Sequence, residues 1–129
     1  MVSVYFWMAG ENFDADDFQS RLGENLKGTV ESRKRMIDGR VERFGRYWKS
    51  EVSKAVSDEP EEELARLIVR YSSEIRNARA SHATQIMAEI VVQYDSPEDV
   101  HGFHFTAETI RLFAELGVSV DIDVVRRLT

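Results

Sequence analysis

Two carboxylates near the end of the chain have the spacing of a metal or acid–base site. Asp121 and Asp123 alternate with aliphatic residues, so they point to the same face of a predicted strand. Their Cα atoms would lie roughly 6.5–7 Å apart, where two carboxylates can share a divalent cation or act as acid and base. With His104 they form a candidate metal-dependent hydrolase site. The plainer interpretation is a solvated strand face, paired with Arg126 or Arg127.

A basic segment with aromatic residues, 31–49, is the stronger functional candidate. It holds seven cationic and three acidic side chains, a net +4 in a chain of net charge −6, so the remainder carries −10. Arginine and aromatic side chains bind single-stranded nucleic acids or phosphorylated ligands. The same residue types are over-represented among protein-interface hot spots. The candidate interaction residues are Arg33, Arg35, Arg40, Arg43, Arg46, Tyr47 and Trp48.

This segment is predicted to be a hairpin, because Asp38-Gly39 is a strong two-residue turn signal. The resulting register pairs Met36 with Val41, Arg35 with Glu42, and Lys34 with Arg43. The like-charged third pair is unfavourable, and an acidic partner or a bulge near Gly45 would relieve it. The alternative to a binding role is a solvated hairpin that Phe44 and Trp48 anchor to the core.

Patterns along the chain predict the elements that carry these residues. Residues 2–8 form a strand that is largely apolar on both faces, as expected of a central strand covered on both sides. A short helix follows, with Asp14 as its cap and Gly23 at its end. A long helix runs from Pro60 to about Arg79, with an apolar stripe of Leu64, Leu67, Ile68, Tyr71 and Ile75.

The second half of the chain closes with two strands and a helix. Residues 84–94 form a long strand, and a short strand is expected around Phe103 and Phe105. The last helix has Thr106 as its N-cap, a Phe105–Ile110 staple and Gly117 at its C-terminus. In the final strand, 118–124, the aliphatic face is expected to be buried.

These elements predict an α+β fold: a mainly antiparallel sheet with two or three helices packed on one face, a two-layer sandwich. Residues 1–129 are expected to form a single domain, since no Pro-rich or Ser-rich linker divides the chain. The pattern leaves the strand order open.

Composition excludes several classes of site. The 129 residues include no cysteine, so neither a disulfide framework nor a thiolate site is available. No Gly-rich phosphate loop or Gly-x-Ser-x-Gly elbow occurs, so no cofactor or catalytic nucleophile is expected. The chain opens in an amphipathic strand and holds no apolar run of roughly 20 residues. We therefore expect a cytoplasmic protein that does not associate with membranes.

Several short segments resemble a known family. They are 12–17 after the first strand, Leu22-Gly23, Lys27-Gly28, 48–50, and the closing strand–helix–strand with its Gly, aliphatic and Asp-x-Asp pattern. In order and spacing they are similar to the bacterial domain of unknown function 4279. Glu24-Asn25-Leu26 stands where that family often has a proline. The resemblance implies no activity, because the family has none established.

The leading hypothesis is a non-enzymatic protein-interaction module, with a toxin-neutralising immunity protein as one specific form. The acidic balance would suit the inhibition of a basic nuclease. An RNA- or nucleotide-binding module that uses residues 33–49 is the first alternative, and a metal-dependent hydrolase is the second. A homodimer is also compatible with the sequence.

Overall fold

The computed structural model describes residues 1–37, 40–55, 59–80, 85–99 and 102–127, without the side chains of 33–44 and 99. The described residues form six strands and four α-helices. The strands are β1 (Val2–Ala9), β2 (Gly28–Ile37), β3 (Arg40–Ser50), β4 (Ser53–Lys54), β5 (Gln85–Tyr94) and β6 (Ser119–Arg126). The helices are α1 (Ala15–Ser20), α2 (Pro60–Arg70), α3 (Ser72–Ala80) and α4 (Ala107–Leu116), with a 3₁₀ turn at Pro97–Asp99.

The strands form one mixed sheet in the order β2-β3-β1-β5-β6, and β4 also pairs with β1. All neighbours are antiparallel except β5 and β6, which are parallel. The predicted α+β class and mainly antiparallel sheet are therefore confirmed. The apolar strand β1 lies in the centre, as its composition predicted.

The core lies between one face of this sheet and the helices. Its largest buried ring is Trp48, whose centroid lies 5.3 Å from that of Phe6 and 5.6 Å from that of Tyr71. All four helices contribute buried side chains to the core, among them Ala15 of α1 and Leu64 of α2. The sheet contributes Val2, Val4, Phe6, Met8, Trp48, Ile86, Ala88, Ile90 and Val92. The prediction of helices on one face is correct.

The long helix predicted from Pro60 is interrupted at Tyr71, which separates α2 from α3. The predicted apolar stripe is nevertheless buried along its whole length. The Tyr71 hydroxyl accepts a hydrogen bond from the Lys27 amide (3.0 Å) and donates one to the Lys27 carbonyl (2.7 Å). The residue at which the helix breaks is therefore held by a tertiary contact. A local sequence pattern cannot predict such a contact, because its partners are far apart in the chain.

Helix caps were predicted well from local sequence. The Asp14 side chain accepts from the Asp17 amide at 3.0 Å, and Thr106 caps α4 in the same way. Gly117 is left-handed, with φ 69°, and the Val118 amide donates to the Phe113 carbonyl at 2.8 Å. These are the hydrogen bond and glycine of a Schellman motif.

Four details of the sequence prediction were wrong. Residues 102–106 form no strand, and Phe103 and Phe105 pack against the core as partly buried side chains. The Phe105 ring packs on Phe113 (6.5 Å), while Ile110 is exposed. Helix α1 ends at Ser20, before Gly23. The aliphatic face of β6 is exposed rather than buried.

Among the described residues, no helix has the length and apolar character needed to cross a membrane.

Candidate interaction face

The second face of the sheet carries none of the helices described above, and we call it the open face. Strand register defines its members, because paired residues on adjacent strands point to the same side. Its side chains include Ser3, Tyr5, Trp7, Glu31, Tyr47, Lys49, Met87, Glu89, Val91, Ser119, Asp121 and Asp123. The face therefore combines aromatic rings with carboxylates.

Trp7 is the centre of the open face. Only 6% of the residue is exposed, although it is not part of the core beneath the helices. The Tyr47 ring meets it edge-on at a centroid distance of 6.0 Å, and its indole Nε1 donates to Glu89 Oε1 at 2.9 Å. Side chains of the neighbouring strands therefore help to hold the indole ring in place.

Two further contacts order the aromatic side chains. The Tyr47 hydroxyl donates to Glu31 Oε2 at 2.7 Å. Lys49 Nζ lies 4.5 Å from the centre of the Tyr5 ring, a cation–π distance. Side chains that are fixed in this way lose little conformational entropy when a partner binds.

An acidic cluster occupies the β5–β6 side of the open face. Glu89 is in register with Asp121, and Val91 with Asp123. Burial raises the pKa of Glu89, and the hydrogen bond and charge of Asp121 raise it further, against the lowering effect of the Trp7 hydrogen bond. Burial, Glu89 and Asp123 also raise the pKa of the Tyr5 hydroxyl. The cluster thus concentrates negative charge at one side of an aromatic platform.

The structure does not bring the three candidate metal ligands together. Asp121 and Asp123 lie on the open face, whereas His104 precedes α4 on the helix side. On that side, His104 acts on Glu61 instead: the hydrogen bond from the Thr106 amide is the main cause that lowers the pKa of Glu61, and the charge of His104 lowers it further. Among the described residues, no group of three His, Asp or Glu side chains is placed to hold a metal ion. Arg127 lies 3.8 Å from Asp95 rather than pairing with either carboxylate.

The basic segment forms the predicted hairpin strands. All three predicted pairs occur, including Lys34 opposite Arg43. The register shifts directly before this pair, and Gly45 has φ 139°, so the expected bulge is present. The turn residues Asp38 and Gly39 lie outside the described residues.

The hairpin continues beyond the rest of the sheet as a two-stranded extension, which we call the basic arm (residues 33–37 and 40–44). Pairing of β3 with β1 ends at Met8 and Trp48, whereas pairing with β2 continues to Ile37 and Arg40. The side chains of four candidates, Arg33, Arg35, Arg40 and Arg43, lie outside the described part of the chain.

The other three candidates of the basic segment have different environments. Arg46 forms a bidentate pair with Asp16 of α1, at 2.7 and 2.9 Å, and both side chains are more than half exposed. Tyr47 belongs to the open face. Trp48 is fully buried and donates to Gln19 at 2.6 Å. Trp48 therefore anchors the hairpin to the core, as the plainer interpretation of this residue held.

Two surface clefts lie away from the acidic cluster. One, of about 550 Å³, is lined by Phe13, which precedes α1, and by residues of α1 and α3 that include Asp17 and Glu74. The other, of about 460 Å³, lies at the base of the basic arm beside Arg46 and Tyr47. Neither includes Glu89 or the Asp121–Asp123 pair, which lie on an open surface.

Sequence reasoning missed Tyr5, Trp7 and Glu89. The apolar second face of β1 was interpreted as a sign of cover on both sides. The predicted fold could have indicated these residues. If helices cover only one face of the sheet, the aromatic residues on the second side of a central strand lie on the other face. An aromatic residue at such a position marks a candidate surface.

Comparison with known proteins gives one match. The model of the family described as "Domain of unknown function (DUF4279)" matches residues 1–125, nearly the whole chain. No curated protein and no solved structure matches it.

Proposed function

Because the chain belongs to the family of the domain of unknown function DUF4279, whose description carries no activity, we propose a function from its surface. The protein is a non-enzymatic protein-interaction module that binds a basic protein through the open face. The observation that carries this proposal is the ordered cluster of Tyr5, Trp7 and Tyr47 beside Glu89, Asp121 and Asp123 on a sheet face without helices.

The form of the face supports a macromolecular partner. Small-molecule sites are usually concave and enclose most of the ligand, whereas the two clefts described above include neither Tyr5, Trp7 nor the acidic cluster, and only one of them reaches Tyr47. Tyr and Trp are frequent hot-spot residues in protein interfaces. Tyr5 and Tyr47 are half-buried and held by Lys49 and Glu31, so part of each ring remains available for contact.

Charge supports a basic partner. Asp121 and Asp123 are exposed and lie next to Glu89 in a chain of net charge −6. Complementary charge accelerates association and suppresses wrong partners. An immunity-type inhibitor that covers a basic toxin in the bacterial cytoplasm is the specific form we propose.

The test uses the product of the neighbouring reading frame as the probe, with binding measured by titration calorimetry. The double variant Asp121→Asn, Asp123→Asn removes two charges while it keeps the side-chain shapes. We expect it to weaken binding by about tenfold or more, since charged pairs in interfaces contribute on the order of 1.4 kcal/mol or more. Binding should also weaken as salt is raised.

The matched control is Glu108→Gln, Glu115→Gln on α4, which makes the same change in net charge on the helix side. Both residues are exposed, so folding should be unaffected. Equal losses in the two double variants would show that only overall charge matters. Absence of binding to the neighbouring product, or to any basic protein tested at low salt, would refute the proposal.

A second candidate function is supported by the basic arm. Its backbone extends past the end of β1, and its sequence carries Arg33, Lys34, Arg35, Arg40 and Arg43. Such an arm could bind the phosphates of single-stranded RNA. Fluorescence anisotropy with a short labelled RNA should then show binding that falls steeply with salt. The Arg40→Ala, Arg43→Ala variant should weaken it, and no binding at low salt would exclude this function.

A further inference from the structure

The outer edge of β6 is unpaired within the described residues. β6 is the last strand in the sheet order and pairs in parallel with β5 along its whole length. No described strand lies on its other side. All eight of its residues are exposed, so the edge is accessible to another chain. Proteins usually protect such an edge, because it can pair with a further strand.

Two hydrogen bonds identify the backbone groups at this edge. The Arg127 amide donates to the Tyr94 carbonyl at 2.7 Å, and the Gln93 amide donates to the Met1 carbonyl at 2.8 Å. Successive residues of a strand direct their backbone groups to alternate sides, so odd-numbered residues of β6 bond to β5. Val120, Ile122 and Val124 therefore direct their amides and carbonyls to the free edge.

The same three residues also have exposed aliphatic side chains. Val120, Ile122 and Val124 are 38%, 46% and 49% exposed. They are in register with the buried Ala88, Ile90 and Val92 of β5, so they extend the helix-side apolar layer past its last covered strand. We call these three residues the edge stripe. An added strand with aliphatic residues on this side would continue that layer.

The carboxylates on the open-face side of β6 distinguish between two possible partners for its free edge: a second copy of this chain and a basic strand of another protein. A second copy paired antiparallel about Ile122 would place Asp121 directly opposite Asp123 of the partner copy, twice. Like charges directly opposite are destabilising, and Glu89 adds a neighbouring carboxyl. A strand with Lys or Arg at these positions would form favourable pairs instead. The Asp pair thus disfavours self-association in this register and favours a basic strand.

We propose that β6 binds an extended segment of a protein partner in which aliphatic residues alternate with Lys or Arg. The segment adds as a strand to the free edge, with its aliphatic residues beside the edge stripe and its cationic residues beside Asp121 and Asp123. Main-chain hydrogen bonds would supply affinity and the alternating side chains specificity. This inference rests on the proposed function and specifies how the basic partner is bound.

The test uses the full chain and the acetylated, amidated peptide Thr-Lys-Val-Lys-Val-Lys-Thr, with amide hydrogen exchange followed by NMR. In the free protein, the amides of Val120, Ile122 and Val124 should exchange fast, and those of Asp121 and Asp123 slowly. The peptide should slow exchange at the three edge-stripe amides by about tenfold or more at saturation. The same peptide with Glu for Lys should leave exchange unchanged.

A matched pair of variants tests the backbone role. Ile122→Pro and Ile122→Ala both remove the isoleucine side chain, but only proline also removes the amide that points to the free edge. Edge strands tolerate proline at such a position. Proline should weaken peptide binding about tenfold more than alanine. If proline unfolds the protein, the same peptide with N-methyl groups on alternate amides replaces the variant, and it should not bind.

The outcomes separate this inference from the proposed function. Peptide binding that is lost in Asp121→Asn, Asp123→Asn but gives no protection at the edge stripe would overturn strand addition and leave the open-face proposal standing. Protection of the edge stripe that rises with protein concentration, without peptide, would show a second copy as the occupant and overturn the inference. No binding of the Lys peptide, while the neighbouring product binds, would also overturn it.

Discussion

The Trp7 indole Nε1 donates a hydrogen bond of 2.9 Å to Glu89 Oε1, between diagonal positions on the adjacent strands β1 and β5. Glu89 is in turn in register with Asp121 on β6, which helps to raise the pKa of Glu89. This chain of contacts joins the aromatic and acidic parts of the open face into one unit. Loss of Glu89 should therefore change both the shape and the charge of the face.

Glu89→Gln should gain stability relative to wild type as pH rises. Burial, together with Asp121, raises the pKa of Glu89 above its ordinary value of 4.5, so the folded state binds more protons than the unfolded state. The free energy of unfolding contributed by this carboxyl thus falls as pH rises from about 4.5 through the raised pKa. Glutamine cannot ionise and can still accept from Trp7. Urea unfolding at several pH values checks this, with exposed Glu24→Gln as the control.

Glu61→Gln should show the opposite pH dependence. The Thr106 amide chiefly lowers the pKa of Glu61, and the hydroxyl of Thr109 also donates to its carboxylate. The stabilisation is therefore present above about pH 4.5 and is lost as pH falls through the lowered pKa. The variant should be less stable than wild type at pH 7 and approach it in acid. Glu62→Gln, which removes only an exposed pair with Arg66, should change little. Equal stability of wild type and Glu61→Gln at pH 7 would contradict this.

Gly28→Ala should destabilise the fold by about 3 kcal/mol, the upper range for overpacking. A Cβ at Gly28 would overlap the Trp48 ring and lie 2.7 Å from the Lys49 carbonyl oxygen. Trp48 cannot move aside, because it is fully buried between other rings. Gly23→Ala is the control, since no atom lies within 4 Å of its added Cβ. Thermal and denaturant unfolding measure the difference, and equal midpoints for the two variants would show that the overlap relaxes.

Tyr71→Phe should cost about 1–3 kcal/mol of unfolding free energy, the penalty for unpaired backbone groups in a buried site. The hydroxyl bonds both the amide and the carbonyl of Lys27, and the residue is fully buried. Denaturant unfolding should show a lower midpoint with an unchanged slope. Tyr94→Phe, at a partly exposed ring, serves as the comparison and should stay within about 0.5 kcal/mol of wild type. A loss below that value in Tyr71→Phe would indicate that water replaces the hydroxyl.

Local patterns predicted the elements that depend on neighbouring residues. The caps at Asp14 and Thr106 and the left-handed Gly117 were all found, because each depends on residues within one helical turn. The hairpin register from Met36 to Val41 and the bulge near Gly45 were found for the same reason.

Predictions that depended on distant partners were less successful. The aliphatic face of β6 was expected to be buried, because alternation shows that two faces differ but not which neighbours cover them. Likewise, Phe103 and Phe105 alternate as a strand would, but they pack against the core from a segment without strand structure. Whether an apolar side chain is covered depends on elements elsewhere in the chain.

The sequence by itself determined the α+β class, the helix caps, the hairpin and the acidic balance, since each follows from local spacing or composition. Tertiary structure alone decided which surface carries a candidate function. The strand order places Glu89 beside Asp121 and leaves β6 at an edge. Helices on one side of the sheet leave Trp7 and Tyr5 on the other. Strand alternation separates two faces, but only packing decides which one the helices cover.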